Sequence, residues 1–342
     1  MPVTTSVFLY MSLIVDVVIM TYKPDKTLFD LLDALMGQTI PPKKIIIMNT
    51  EEKYLLSLIF GTSFADKYKN LEIHHISKRE FNHGKSRNYA ARYSIAPFLI
   101  YMTQDAVPAN ERFIEELLRP MEDIRVSVSY ARQLPKSSAG VLESFARHFN
   151  YPEESRIQDS ESIETQGIKA YYCSNVSACY RRADWNLLGE FIPFTIFNED
   201  MLFAAKAIQT GKAVYYASEA AVFHSHDYSL MKQFKRNFDL GVSQAEHPEV
   251  FQTVSSTGEG KRFVKEYLNH LKSEGKLYLL PSFLVYCAFR LCGYKMGLNF
   301  ERLPKKLILS CTMNKGYWTR YWDKKYIPED VHAGYGKNSE GL

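Results

Sequence analysis

Pro97–Pro108, PFLIYMTQDAVP, is an apolar run of strand length that ends in a carboxylate, Asp105. Phe98, Leu99, Ile100, Tyr101 and Met102 suit a strand buried on both faces, and Pro108 predicts its stop. The carboxylate then stands at a strand's carboxyl end, the edge where open α/β sheets bind ligands, and an acid there can hold a metal ion or a polar substrate. Taken alone, Asp105 reads equally as a turn residue or as a cap for a helix beginning near Asn110.

Upstream, strand-like and helix-like runs alternate. Asp16–Met20 (DVVIM) predicts a first strand, and Leu28, Leu31, Leu32 and Leu35 recur at helical spacing with Gly37 as a stop. Ile45–Met48 predicts a second strand, Tyr54–Tyr68 a second helix and Leu71–Ile76 a third strand. A polar loop, FNHGKSRN at 81–88, then leads into a helix of small residues. This order predicts a parallel, doubly wound sheet with its crevice at the carboxyl strand ends. Thr21 and Tyr22, Asn49 to Glu51, and Asp105 would all line that crevice. Lys85 and Arg87 would stand just before the helix, where cations can meet a diphosphate or simply face solvent. The first strand is followed by TYKPDKT, without glycine, which disfavours a dinucleotide fold, and no phosphate-cradling GxxxxGK[ST] occurs.

The chain has 342 residues, 46% hydrophobic and 23% charged, enough to bury a sizeable core. Its net charge of +4 is unevenly spread: residues 261–326 carry 14 Lys and Arg against 4 acids, so the basic part is C-terminal. The five cysteines form no CxxC pair, which predicts neither a zinc site nor a disulfide framework and fits a reducing cytoplasm. The apolar run at 7–20 lacks a basic leader and is interrupted by Asp16, so it predicts a buried strand rather than a signal peptide.

Past the opening stretch, a helix near Arg112–Leu118 and a strand at Val126–Tyr130 precede a polar, substrate-facing insertion at 136–169. Ala170–Arg181 suits a strand pair or a bent strand. Asn198 then reads as the N-cap of a helix whose first turn holds Glu199 and Asp200, acids that a helix dipole favours on its own account. Ala213–Tyr216 and Val222-Phe223 are strand-like and lead into His224-Ser225-His226-Asp227, a cluster able to ligate a divalent metal.

From Gly241 the character changes. Val264–Leu271 reads as a helix, and the uncharged run Leu277–Phe289 is too short to span a bilayer. With Tyr294, Phe300, Tyr317, Trp318, Tyr321 and Trp322 interleaved among Lys and Arg, it predicts a helix lying in a membrane interface, against the alternative of a tail packed on the catalytic domain. Long apolar runs of this kind are not needed for phosphate contacts, so no nucleic-acid partner is expected.

In VVIMTYKP, FNHGKSRN, TQDAVP, FNED, HSHDYSLMKQFKRNFDLG and GYKMGLNFERLPKKL the chain resembles the inverting glycosyltransferase family 2, and within it bacterial rhamnosyltransferases that use dTDP-L-rhamnose. The resemblance implies an α/β GT-A fold, a mostly parallel sheet flanked by helices, over residues 12–240, with a donor half to 108 and an acceptor half from 109. Residues 241–342 would form a basic, aromatic, helical extension that associates with the membrane. It also implies Mg²⁺ or Mn²⁺ held by Asp105 and His224, and Asp200 as general base near its ordinary pKa, with Glu199 as fallback. Thr21, Tyr22, Glu51, Lys85, Arg87, Asn88, Gln104 and Asp105 would bind the donor, while His226 and Arg236 would serve the acceptor or support the site. The implied partners are dTDP-L-rhamnose, a glycan acceptor on a polyprenyl diphosphate and the inner face of the plasma membrane. A UDP-hexose donor, or a non-catalytic nucleotide-sugar-binding scaffold, are the competing expectations.

Overall fold

The computed structural model describes residues 14–252 and 257–323. Residues 7–13 of the N-terminal apolar run and 324–342 of the basic C-terminal part lie outside them.

One sheet organises the chain. Its strands are β1 (Val15–Tyr22), β2 (Lys44–Thr50), β3 (Leu71–Ile76), β4 (Phe98–Thr103), β5 (Val107–Pro108), β6 (Val126–Leu134), β7 (Arg156–Gln158), β8 (Ser177–Arg181) and β9 (Ala213–Phe223). Their order is β3-β2-β1-β4-β8-β6-β9-β5, with β7 paired to β9. β1 to β4 are mutually parallel, as the alternating pattern predicts, and β6 and β9 are parallel to each other. β8 runs antiparallel between the two halves, with Met102 opposite Ser177. The reversal matters for function: the start of β8 lies at the same sheet edge as the end of β4.

Alternate residues of the central strands face opposite sides, and both sides are covered. Val17, Ile19, Ile45, Ile47, Ile100 and Met102 pack on one side, with Leu28, Leu31 and Leu35 of α1 (Thr27–Met36). Val18, Met20, Ile46, Met48, Leu99 and Tyr101 fill the other. Burial on both faces is why these strands read as unbroken apolar runs.

Several local expectations give way. The second helix ends early, as α2 (Glu52–Ile59), because Gly61 at φ 72° breaks it before a separate turn at Phe64–Lys67. The polar 81–88 stretch is largely helical: α3 (His83–Ala91) is capped by Asn82, whose Oδ1 accepts from Gly84 N at 3.1 Å, so Lys85 and Arg87 lie within the helix rather than before it. Pro108 does not simply stop a strand but sits in β5, opposite Val222 of β9. In 170–181 only the second part, β8, is a strand.

Among the helices that follow are α4 (Phe113–Leu118), α5 (Val141–Asn150), α6 (Glu199–Gln209), α7 (Leu230–Glu246), α8 (Thr257–Ser273), α9 (Leu280–Leu298), α10 (Lys305–Cys311) and α11 (Lys315–Trp322), with shorter helical turns at Ser162–Gln166, Arg182–Leu187 and Pro248–Phe251. Gly241, where the composition changes, lies inside α7. α9 extends well past Phe289, because Arg290 turns back to α7 and Tyr286 instead of breaking the helix. Gly293 and Gly297 let α9 approach α7 closely: a Cβ there would stand 2.2 Å from Phe234 O and 2.1 Å from Phe238 O. Phe300, Tyr317 and Trp318 are buried against α7, so these aromatics are core residues and not interfacial ones.

Candidate active site

Two clusters form at the carboxyl edge of the sheet. The first is built by the β5–β9 pairing, which places Val107 opposite Phe223 and so brings the residue after β9, His224, beside the loop that carries Asp105. His224 Nε2 is 3.6 Å from Asp105 Oδ1, and His226 Nε2 is 3.1 Å from Asp105 Oδ2. The nearest ligand atoms of all three residues lie within 4.8 Å of one another. His226, which the sequence placed in the metal-ligating HSHD cluster and the resemblance assigned to the acceptor or a supporting role, thus lies in the candidate metal cluster with His224.

The tautomer of His224 follows from its neighbours. Its Nδ1 is 2.9 Å from Gln133 Oε1, an oxygen that also accepts from the Arg147 guanidinium, so Nδ1 carries the proton and Nε2 presents its lone pair toward Asp105. Burial drives the His224 pKa down to about 3, so the ring is neutral at physiological pH. Burial raises Asp105, but the hydrogen bond from His226 and the nearby His224, His226 and Lys136 outweigh it and hold the carboxylate well below the usual range. One carboxylate and two imidazoles, one of them fixed as a neutral ligand, form a donor set that fits a divalent cation. Gln133 gave no signal in the sequence: it is a buried glutamine one residue from the end of β6, in no motif, and its partner His224 lies far along the chain.

The second cluster surrounds Glu199 and Asp200 at the start of α6. Arg87 Nη1 reaches Glu199 Oε1 at 2.9 Å, and both side chains are buried. Asn175 Nδ2 donates to Glu199 Oε1 at 3.2 Å, while the Asn175 backbone N–H donates to Asp200 Oδ2 at 2.9 Å. Asn175 precedes β8, and the reversed direction of that strand delivers it here, a long-range fact invisible in sequence. Glu199 is therefore an ionised carboxylate held through Oε1: burial opposes ionisation, but Arg87 and then His83 and Asn175 lower its pKa. Asp200 remains partly accessible. Burial, and then the charge of Glu199, raise it to about 7, well away from the ordinary aspartate value expected for it.

The simple capping account of these acids does not describe them. Asn198 adopts a left-handed conformation at φ 67° and makes no side-chain cap; its Nδ2 donates to Ser243 Oγ on α7 at 3.2 Å. The FNHGKSRN stretch instead holds the loop that leads into α6. Asn88 clamps Phe191 through Nδ2 to the carbonyl at 2.8 Å and Oδ1 from the amide at 3.2 Å. Gly84 packs so closely on this loop that a Cβ would lie 1.9 Å from Ile192 O.

The other expected donor residues divide. Thr21 Oγ1 donates to Asn49 Oδ1 at 2.9 Å, tying the ends of β1 and β2 together. Gln104 bridges β1 and β4, accepting from Tyr22 N at 2.8 Å and donating to Tyr22 O at 3.2 Å. Glu51, at φ 66°, accepts from Lys78 N at 2.6 Å. Tyr22 stands at the crevice with Tyr54 edge-on to its ring at 5.7 Å. Arg236 lies over the Phe197 ring at 4.8 Å and lines the same crevice. Lys85 and Arg87 are not brought to it: Lys85 is exposed in a separate cavity with Arg79 and Arg320, and Arg87 is committed to Glu199.

Residues 16–188 match the model of the family described as Glycosyl transferase family 2. The chain is 35% identical over 306 residues to the O-antigen chain rhamnosyltransferase RfbN of Salmonella typhimurium, covering 89% of this chain and 96% of that protein. It is 37% identical over 287 residues to the O-antigen chain rhamnosyltransferase WbaN of Salmonella anatum, covering 83% and 89%. Among solved structures, a mannosyltransferase from Pyrobaculum calidifontis, in complex with GDP-Man and Mn²⁺, superposes with a TM-score of 0.55 at 12% identity, over 84% of this chain and 88% of that one; at that identity the likeness speaks for the fold. A sheet edge that gathers acids and histidines from distant strands, in a chain matched almost end to end by such relatives, places the protein in glycosyl transferase family 2: it is a glycosyltransferase with a GT-A-like fold.

Proposed function

We propose that the protein is an inverting O-antigen-type rhamnosyltransferase that moves L-rhamnose from dTDP-L-rhamnose to a hydroxyl of a lipid-linked glycan, with Asp200 as general base. The observation that carries the mechanism is the division of labour in the acidic pair: Glu199 is locked by Arg87, while Asp200 stays partly accessible with a pKa near 7. A base poised near the working pH combines a useful ionised fraction with appreciable basicity. Asn175 N–H and Met201 N–H, each 2.9 Å from an Asp200 oxygen, fix the carboxylate's orientation. Asp200 would take the proton of the acceptor hydroxyl as that oxygen attacks the anomeric carbon, and the nucleoside diphosphate would leave from the opposite side. The sugar assignment rests on the names of the two Salmonella relatives.

Asp105, His224 and His226 would hold the divalent cation, Mg²⁺ or Mn²⁺, which when bound neutralises a diphosphate leaving group. Imidazole nitrogens sit poorly with the oxygen set that Mg²⁺ prefers, which favours Mn²⁺. Arg236, at the same crevice, adds a cation for the substrate.

For location, we assign the enzyme to the cytoplasmic side of the plasma membrane as a peripheral protein. The helix formed by Leu277–Leu298 is long and apolar enough to cross a bilayer, and only 11% of its apolar 18-residue window is buried. One side is nonetheless seated on α7 through Gly293 and Gly297. Leu284, Val285 and Leu291 are exposed on the other side. A helix docked along the domain and apolar outward suits lying on lipid rather than crossing it.

The deciding experiment is transfer by purified protein with dTDP-L-rhamnose, a lipid-linked acceptor and Mn²⁺. Rhamnosylated product supports the reading; no transfer, together with turnover of a UDP-hexose, overturns the donor assignment. Nucleotide-sugar binding without transfer or hydrolysis would make the chain a scaffold instead.

A further inference from the structure

A cavity of about 280 Å³ opens at the ends of β1 and β2, and its wall is shared by Tyr22, Thr50, Lys78, Arg236, Met313 and Asn314. Two of these residues belong to the C-terminal part of the chain, whose composition predicts a helix lying in a membrane interface or a tail packed on the catalytic domain. They are held in place from α7. Asp239, 4% exposed, accepts from Thr312 Oγ1 at 2.6 Å and from Met313 N at 2.9 Å. Asn314 N in turn donates to Thr312 Oγ1 at 2.9 Å.

The polar groups of this wall are short of acceptors. Asn314 Oδ1 caps α11 by accepting from Tyr317 N at 3.1 Å, which fixes the amide's orientation and leaves Nδ2 as a donor without a partner among the described residues. Lys78 Nζ lies 5.6 Å from the Tyr22 ring centre and forms no ion pair among the described residues. Thr50 is only 3% exposed, yet its hydroxyl is unpartnered. The oxygens of Asp239, the single carboxylate of the wall among the described residues, are already engaged by Thr312 and Met313. Of these groups the Thr50 hydroxyl is the buried one, and a buried polar group without a partner marks a place where a ligand completes the network; Asn314 is half-buried and Lys78 exposed beside it. The complement of such a wall, with Tyr22, Phe81, Phe197 and Met313 as its apolar surfaces, is a flat heterocycle that presents carbonyl oxygens.

We infer that Thr312–Asn314 forms one wall of the donor's nucleoside pocket, that Asn314 is a specificity-determining residue donating to a carbonyl oxygen of a pyrimidine-dione base, and that Asp239 is its positioning residue. The inference rests on the nucleoside-diphosphate donor proposed above. It makes the C-terminal part a component of the binding site.

The test is calorimetric titration of the full chain with dTDP and, separately, with inorganic diphosphate, both with Mn²⁺. Asn314→Ser retains a side-chain oxygen to cap α11 but removes the amide donor. We expect it to weaken dTDP about tenfold, the effect of one lost hydrogen bond, and to leave inorganic diphosphate unchanged. Asp239→Asn, which keeps the shape of the clamp, should shift dTDP in the same direction with diphosphate again unchanged, a ratio that general loosening would not move. Equal dTDP affinity in wild type and Asn314→Ser overturns the inference, as does a parallel fall for both ligands. Wild-type protein that binds diphosphate but gains nothing from the nucleoside refutes the pocket while leaving the metal site intact. Failure to bind either ligand instead removes the donor reading on which the inference stands.

Discussion

Arg87 Nη1 stands 2.9 Å from Glu199 Oε1, and this buried ion pair joins the helix after β3 to the helix that carries the proposed base. The pair explains why two adjacent acids differ. Glu199 is paired with a fixed guanidinium, whereas Asp200, beside that pair, stays partly accessible.

Asp200→Asn keeps the shape of the side chain and the Oδ1 that accepts from Met201 N–H, but it removes the base and the acceptor of Asn175 N–H. Turnover should fall by about 10²–10⁴-fold in a radiolabelled-sugar transfer assay, with a thermal melt showing that the variant still folds. Full activity in this variant would disprove the base assignment.

Glu199→Ala acts through stability. It leaves the Arg87 charge buried and unpaired, and breaking such a pair from one side costs roughly 3–5 kcal/mol. Denaturant unfolding should show a loss in that range, and a change under about 1 kcal/mol would mean that Arg87 finds water.

The pH profile follows from Asp200. Its carboxyl titrates near 7 in the fold against an ordinary value of 3.8, so the rate should rise as pH increases through about 7 and level off above it. The same shift makes the folded state hold a proton that the unfolded chain has released between those values. This group's contribution to stability therefore declines as pH rises across that window. Glu199→Gln removes a charge that raises Asp200, so the acid limb should move to lower pH; an unmoved limb would mean that another group sets it.

Gln133→Leu tests the histidine cluster without touching a proposed ligand. It releases His224 Nδ1, and lost outer-shell support of this kind typically lowers metal affinity about 10–100-fold. Mn²⁺ titration followed by electron paramagnetic resonance reads this directly, and an unchanged affinity would exclude His224 Nε2 as a ligand.

Leu284→Asp with Leu291→Asp places two charges on the exposed side of α9, both at positions more than half exposed. Cosedimentation with anionic vesicles should drop severalfold while transfer to a water-soluble acceptor persists, because the face that meets α7 is untouched. Retained vesicle binding would move the membrane contact elsewhere on the chain.

The central sheet and the identities of the acids and histidines were legible in the sequence because both depend on local pattern. Fully buried parallel strands must be continuous apolar runs such as Phe98–Met102, and an acid such as Asp105 stands out where a run ends. Boundaries set by single φ angles, such as the break at Gly61, were not legible, nor was the depth of the Asn82 cap.

What the sequence by itself determined is the alternating sheet, the strand-end position of Asp105 and the presence of the Glu199-Asp200 and His224–His226 groups. Only the tertiary structure decided which groups each of them meets. The reversal of β8 brings in Asn175, the β5–β9 pairing sets His224 and His226 against Asp105, and α3 presents Arg87 to Glu199 instead of to a diphosphate. Charges and hydrogen bonds act over a few ångströms, and which groups come that close depends on strand order and direction, which no local stretch of chain encodes.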